Sequence, residues 1–340
     1  MIAMDDPRRP MYDEVFRRPT FIRERLDELD NLVRATLPRE ACRRWTRVLL
    51  TGCGDSYYAG LACELAFETW TGLSVDVQPS LQGGRYAIPA MAPPAVIFSV
   101  SHSGRVSRTI ETVALAQARG LDTVAVSGSP ESPVTREARW ALARQLEVGG
   151  HTPGVRSYTQ AQLLLMLAAI HIGECRDVLD RTQAAALRRE LRRTADILEA
   201  GLEETDHLAQ KLADRWREAT QYLLIAPPGR CSDRAAELLG VMRGLGNLVA
   251  VVGSREDAAL KRQAVDYFNL HGATEEALTP LLTSMPAELL ACHLAYVCDE
   301  RFFRADGRGA SVGRGRITDS AMVRNLSDWP LSPGAQSGSM

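Results

Sequence analysis

The sequence predicts an α/β protein with parallel sheets flanked by helices. Three observations carry this expectation. Short apolar, β-branched runs alternate with helical patterns through the first half of the chain. Two of those runs break into Gly- and hydroxyl-bearing turns just before a helix, at Cys53-Gly54-Asp55-Ser56 and at Ser101-His102-Ser103-Gly104. A second, sparser set of strand and helix signals follows residue 220, and 340 residues exceed one average core, so two domains are expected.

Taken in order, residues 1–10 are polar and proline-bearing and read as a tail. Residues 11–37 have helical periodicity interrupted at Pro19, giving a helical arm. A strand over 47–52 leads through the first turn into one long helix over 57–70. Further strands are predicted at 73–77, 96–100 and 121–126, with an edge strand at 144–148. The strand at 96–100 ends in the second turn, and Ile110, Val113, Ala114 and Ala116 then mark an amphipathic helix. In such a sheet ligands bind outside the carboxyl ends of the strands, where both turns sit.

Residues 154–160 enter a strongly apolar helix over 161–172, and Ser157 and Thr159 either cap it or present hydroxyls to a ligand. Residues 177–219 read as two bridging helices with solvated, charged faces. Strands at 222–226 and 248–252 flank a helix over 234–245. Residues 267–270 are short and ambiguous, and an apolar helix with Pro286 spans 281–297. The expected organisation is an arm over 1–40, a first domain over 41–176, a bridge over 177–219, a shorter second domain over 220–303 and a Gly/Arg/Ser-rich tail over 304–340.

Composition narrows the function classes. A formal charge of −2 gives no overall electrostatic reason to bind nucleic acid or a membrane surface. Seven scattered cysteines without a C-x-x-C pair predict reduced thiols rather than disulfides or a zinc site, which favours the cytoplasm. No signal peptide is recognisable, and the apolar run at 163–170 is too short to span a bilayer. No His or carboxylate pair has metal-ligand spacing, so no metal is expected. Phosphate-loop and dinucleotide fingerprints are absent from the sequence, and no cofactor is expected.

The two turns have a chemistry of their own. Hydroxyls and backbone N–H groups at a helix start, with a Gly that allows close approach, suit a phosphate or another anion. An ordinary Ser N-cap accounts for one of the serines and leaves the others unexplained.

The order of Met11-Tyr-Asp-Glu-Val-Phe-Arg-Arg-Pro19, Gly52-Cys53-Gly54-Asp55-Ser56, Arg85-Tyr86, Ser101-His102-Ser103-Gly104, Gly154-Val155-Arg156-Ser157 and Thr283-Ser-Met-Pro-Ala-Glu-Leu-Leu-Ala resembles the double sugar isomerase (SIS) domain family. The likeness is to the isomerase half of glucosamine-6-phosphate synthase and to stand-alone fructosamine deglycases and sugar-phosphate isomerase/deaminases. The resemblance implies two flavodoxin-like domains, a homodimer and a phosphorylated sugar as ligand. It implies a phosphate pocket lined by Cys53, Gly54, Ser56, Ser101, His102, Ser103 and Ser107, with Val155 and Ser157 close to the sugar.

The departures are as informative. Where the family places Thr or Ser two positions after the turn's Gly, this chain has Val106, with Ser107 following. The chain starts Met1-Ile2, with no N-terminal cysteine nucleophile, so no glutaminase activity is expected. In the second half, Asp233-Arg-Ala-Ala-Glu-Leu-Leu-Gly-Val-Met-Arg-Gly leads almost directly to the next strand, and no His-Gly-Pro follows. The second domain is therefore expected to lack about one β-α unit, and with it the family's general base and partner His. The remaining candidates for proton transfer are His151, Glu237 and His271, none of which the family's pattern supports. The expected function is a sugar-phosphate isomerase-type enzyme; the alternative is a sugar-phosphate sensor that has lost the catalytic unit.

Overall fold

Continuous apolar runs form the first sheet because both of its faces are covered. The computed structural model describes residues 6, 8–146, 154–217, 221–226, 229 and 232–298. Strands β1 (Arg47–Gly52), β2 (Ser74–Pro79), β3 (Ala95–Val100), β4 (Asp122–Ser127) and β5 (Trp140–Ala143) form a five-stranded sheet of order β2-β1-β3-β4-β5. Every pairing is parallel. All six residues of β3 are buried, as are five of six in β1 and in β4, the pattern of strands with helices on both faces. The strand order reverses between β1 and β3, so a crevice at that switch point is where this fold binds ligands.

A second sheet, of order β6-β7-β8, is built from β6 (Gln221–Ala226), β7 (Leu248–Ser254) and β8 (Asp266–Leu270), again all parallel. The described chain forms two compact units. One comprises residues 29–146 and 160–184 and contains the larger sheet; the other comprises the described residues up to 28, 154–159 and 185–298 and contains the smaller.

Four elements differ from their sequence prediction. The edge strand lies at Trp140–Ala143 rather than over 144–148, and residues 147 and 148 lie outside the described ones. The helix expected over 57–70 is broken into Asp55–Ala62 and Glu64–Thr71, because Cys63 leaves helical geometry at φ −100° and ψ 0°. The N-terminal arm breaks at Arg17 rather than at Pro19, which sits in the first turn of the Arg18–Thr36 helix, where its missing N–H costs nothing. Instead of two bridging helices, one 36-residue helix runs from Arg181 to Trp216. The predicted tail over 304–340 lies outside the described residues.

The second unit is held by an apolar helix and a buried polar chain. Helix Pro280–Val297 contacts β7, β8 and helix Arg9–Phe16, so its apolar surface is covered within its own unit. Beneath it, Tyr12 donates to Asp206 Oδ2 at 2.7 Å, and His293 Nε2 lies 2.7 Å from Asp206 Oδ1. Arg8 lies 2.9 Å from His293 Nδ1, which makes Nδ1 the acceptor and Nε2–H the donor to Asp206. Burial pushes the Asp206 carboxyl up, but the hydrogen bonds from His293 and Tyr12 outweigh it and hold the group below the usual carboxylate range. Among the described residues no helix is long and apolar enough to cross a membrane.

Candidate anion site at the strand ends

Strands β1 and β3 are neighbours in register, with Gly52 opposite Val100, so the turns that follow them emerge side by side. Each turn depends on a glycine. Gly54, at φ +56°, is the N-cap of helix Asp55–Ala62, and Gly104 has φ +64°. At Gly104 a side chain is also excluded by space, since a Cβ would come within 1.9 Å of Ser132 Oγ.

Under the turns lies a chain of hydroxyls. Thr51 at the end of β1 donates to Ser80 Oγ at 3.4 Å, Ser80 Oγ lies 3.0 Å from Thr109 Oγ1, and Thr109 donates to Cys53 Sγ at 3.8 Å. The three hydroxyl residues are fully buried, and the chain ties the ends of β1 and β2 to helix Ser107–Ala118. Sequence reasoning missed these residues; the available signal was a hydroxyl near the end of β1, one just after β2 and one in the first turn of helix Ser107–Ala118, separated by distances too long for a local motif.

Ser101 is 1% exposed, and its Oγ has no hydrogen-bond partner among the described residues. A buried hydroxyl without a partner carries a desolvation penalty of about 1–3 kcal/mol that a ligand oxygen would relieve. His102 is half-buried. Its carbonyl accepts from Gly128 N at 3.0 Å and from Ser127 Oγ at 3.2 Å, and its ring stands where a Cβ on residue 128 would be. The loop after β4 therefore holds the turn in place. Ser103 is exposed, and its Oγ accepts from Arg105 N at 3.3 Å. Ser107 opens its helix behind Val106, which is the N-cap and offers no side-chain acceptor to the first turn. Val106 thus leaves the helix N-terminus without a side-chain cap, and its dipole favours negative charge.

One turn further on, buried Glu111 pairs with Arg85 and with Arg108 Nη1, the latter at 2.8 Å. Two guanidinium groups thus stand around one carboxylate near the start of the helix.

The structure gathers Cys53, Gly54, Ser56, Ser101, His102, Ser103 and Ser107 at the carboxyl end of the larger sheet. Val155 and Ser157 belong to the other unit, at the start of helix Val155–Cys175. There Ser157 donates to Gly154 O at 2.9 Å and Thr159 donates to Val155 O at 3.1 Å, so both hydroxyls turn back onto their own helix. Glu237 is exposed and paired with Arg234 at 2.7 Å. His271 stands 3.2 Å from Glu204 and covers Gly201 of the 36-residue helix. His151 lies outside the described residues.

Residues 42–172 match the SIS domain family. The match covers β1 to β5 and the two turns that follow β1 and β3. The chain is 26% identical over 328 residues to the isomerizing glutamine–fructose-6-phosphate aminotransferase of Methanothermobacter thermautotrophicus, covering 84% of this chain and 54% of that protein. It is 27% identical over 224 residues to the enzyme of the same name from Thermus thermophilus, covering 63% of this chain and 36% of that protein. It therefore spans about half or less of the length of these curated relatives. Among solved structures, the C-terminal domain of glucosamine-fructose-6-phosphate aminotransferase from Francisella tularensis superimposes with a TM-score of 0.73 at 15% identity, covering 85% of this chain and 96% of that one. Tagatose-6-phosphate ketose/aldose isomerase from Escherichia coli superimposes with a TM-score of 0.63 at 12% identity, covering 86% and 94%. These two share the fold with this chain.

Proposed function

We propose that this protein is a sugar-phosphate isomerase-type enzyme, acting on an amino-sugar or ketose/aldose phosphate whose phosphate is held by the turns after β1 and β3. The observation that carries the reading is Ser101, a buried hydroxyl with no protein partner among the described residues, beside a helix start without a side-chain cap. Ser103, Ser107 and Ser56 add hydroxyls around the same strand ends, and the guanidinium groups of Arg85 and Arg108 bring cationic donors to the same helix. The names of the similar proteins, an aminotransferase of fructose 6-phosphate and a ketose/aldose isomerase of tagatose 6-phosphate, point to the same substrate class. In this reading phosphate binding supplies the orientation, and a base then moves a proton between C1 and C2 of the open-chain sugar.

One observation favours a second reading, a sugar-phosphate-binding sensor. Glu237 is exposed and ion-paired, and His271 lies against Glu204 and Gly201, so neither is assigned as the base. Proton exchange decides between the two. The protein is incubated in D₂O with fructose 6-phosphate or glucosamine 6-phosphate, and C1 and C2 are followed by NMR. Exchange above the uncatalysed rate supports the enzyme, saturable binding without exchange supports the sensor, and no binding of either ester overturns both.

We also propose a homodimer, on different ground from the sequence expectation. Leu238, Val241 and Leu245 are 41%, 61% and 76% exposed and recur at helical spacing on and just past helix Ser232–Gly244. An apolar stripe of that kind on a soluble protein is covered by a partner surface.

A further inference from the structure

Within the first unit, three side chains from distant parts of the sequence meet away from the strand ends. Helix Val155–Cys175 carries His171 and Cys175 four residues apart, hence on one face, and Cys42 comes from the short helix Arg39–Arg44. All three are buried, and one ligand atom from each lies within 4.8 Å of the others. We propose that Cys42, His171 and Cys175 form a binding site for a thiophilic d¹⁰ cation, Zn(II) or Cu(I), that staples the Arg39–Arg44 helix to the Val155–Cys175 helix.

Three features support the site. His171 Nε2 lies 2.9 Å from the carbonyl oxygen of Leu37, an acceptor only, so Nε2 carries the proton and Nδ1 keeps its lone pair. Metal-bound histidines are oriented in this way, with the second nitrogen donating to a carbonyl or carboxylate. Cys175 Sγ lies 3.9 Å from Nδ1 and 3.5 Å from Nε2. Metal–sulfur and metal–nitrogen bonds of about 2.3 and 2.1 Å, meeting at tetrahedral or trigonal angles, put sulfur and nitrogen about 3.6–3.8 Å apart, so an ion on Nδ1 requires the imidazole and the Cys175 side chain to turn until Sγ lies beside Nδ1.

The backbone around the three ligands is also pinned. Arg43 Nε donates to Cys175 O at 2.8 Å, and Arg176 Nη1 donates to Trp45 O at 2.6 Å. Ligands fixed in this way lose little freedom on binding. Two thiolates and an imidazole select soft cations over Mg²⁺ or Ca²⁺. Zn(II) leaves the buried set electrically neutral, whereas Cu(I) is satisfied by the three donors present. Both sulfurs bind as thiolates, so uptake of the ion releases thiol protons and retention weakens as the pH falls.

The test uses the full-length, fully reduced protein. It is equilibrated with Zn(II) against a chromophoric chelator and, separately, with Cu(I) against a Cu(I)-selective chelator, each under argon. One equivalent of one of the two ions is withheld from its chelator, and X-ray absorption at that metal's edge reports two sulfur neighbours and one nitrogen. Cys42→Ala and His171→Gln each weaken retention at least a hundredfold, while Cys292→Ala, which removes a buried thiol elsewhere, leaves it unchanged. If a ligand variant fails to fold, the absorption spectrum of the unaltered protein decides. The proposal is overturned by failure to retain either ion, by equal retention in Cys42→Ala and His171→Gln, or by a shell with fewer than two sulfurs. It is equally overturned if Cys42 and Cys175 prove to be joined in a disulfide in the purified protein and, once reduced, take up no metal.

Discussion

Replacing Ser101 by Ala separates the free protein from its complex, because the hydroxyl has no partner among the described residues until a ligand arrives. In the free protein Ser101 Oγ is buried and unbonded, so its removal takes away a desolvation penalty and no hydrogen bond. Stability in urea is expected to stay level or rise by about 1 kcal/mol. In the complex the same hydroxyl would donate to a charged oxygen, a bond worth about 1.5–3 kcal/mol. That corresponds to a loss of affinity of about 10- to 150-fold at about 1.4 kcal/mol per decade. Ser99, two residues earlier and equally buried without a partner, is the control: Ser99→Ala repeats the stability change and leaves affinity within about twofold. Urea titration measures the first quantity, and calorimetry with inorganic phosphate and glucosamine 6-phosphate measures the second. An unchanged affinity in Ser101→Ala, or an equal loss in both variants, refutes the assignment of the turn as the phosphate site.

Two further outcomes are expected. The folded-state pKa of Asp206 is depressed, so its contribution to stability is present above the unfolded Asp value of about 3.9 and is lost as pH falls through the folded value. Asp206→Asn should therefore show a shallower decline in urea stability below about pH 4 than the unaltered protein, and parallel declines would show that the Tyr12–Asp206–His293 chain contributes nothing. For assembly, Leu238→Asp with Val241→Asp should convert the dimer to a monomer in sedimentation at micromolar concentration; a monomeric unaltered protein removes the stripe's proposed role.

The α/β class and most of the strands were legible because their physics is local. β1, β3 and β4 are buried on both faces, and a strand in that position must be apolar along its whole length. The edge strand was misplaced because apolar Leu146 and Val148 alternate with polar Gln145 and Glu147 as an edge should, while the actual Trp140–Ala143 is Ala-rich and mostly half-buried. The break at Cys63 has no breaker residue to announce it, and the helix from Arg181 to Trp216 exceeds ordinary helix lengths, which made two helices the natural reading.

At the site, the two turns were legible as contiguous stretches. The hydroxyls beneath them were not, since Thr51, Ser80 and Thr109 meet only once the sheet is formed. The same holds for Cys42, whose neighbours His171 and Cys175 follow it by well over a hundred residues. Helix Pro280–Val297, apolar along its length in the sequence, packs on β7, β8 and helix Arg9–Phe16, contacts that the sequence order does not announce.

The difference between the two sheets bears on how each can change over evolutionary time. In the larger sheet β1, β3 and β4 each have a neighbour on both sides, so an outer strand could be trimmed and a four-stranded sheet would persist. In the smaller one, among the described residues, only β7 has two neighbours, and its buried run from Val249 to Gly253 anchors both outer strands. Three strands on an apolar face are near the minimum for an independently stable sheet, and a pair is marginal. The smaller sheet therefore stands at a floor: longer loops leave its pairing intact, whereas removal of one outer strand leaves a marginal pair.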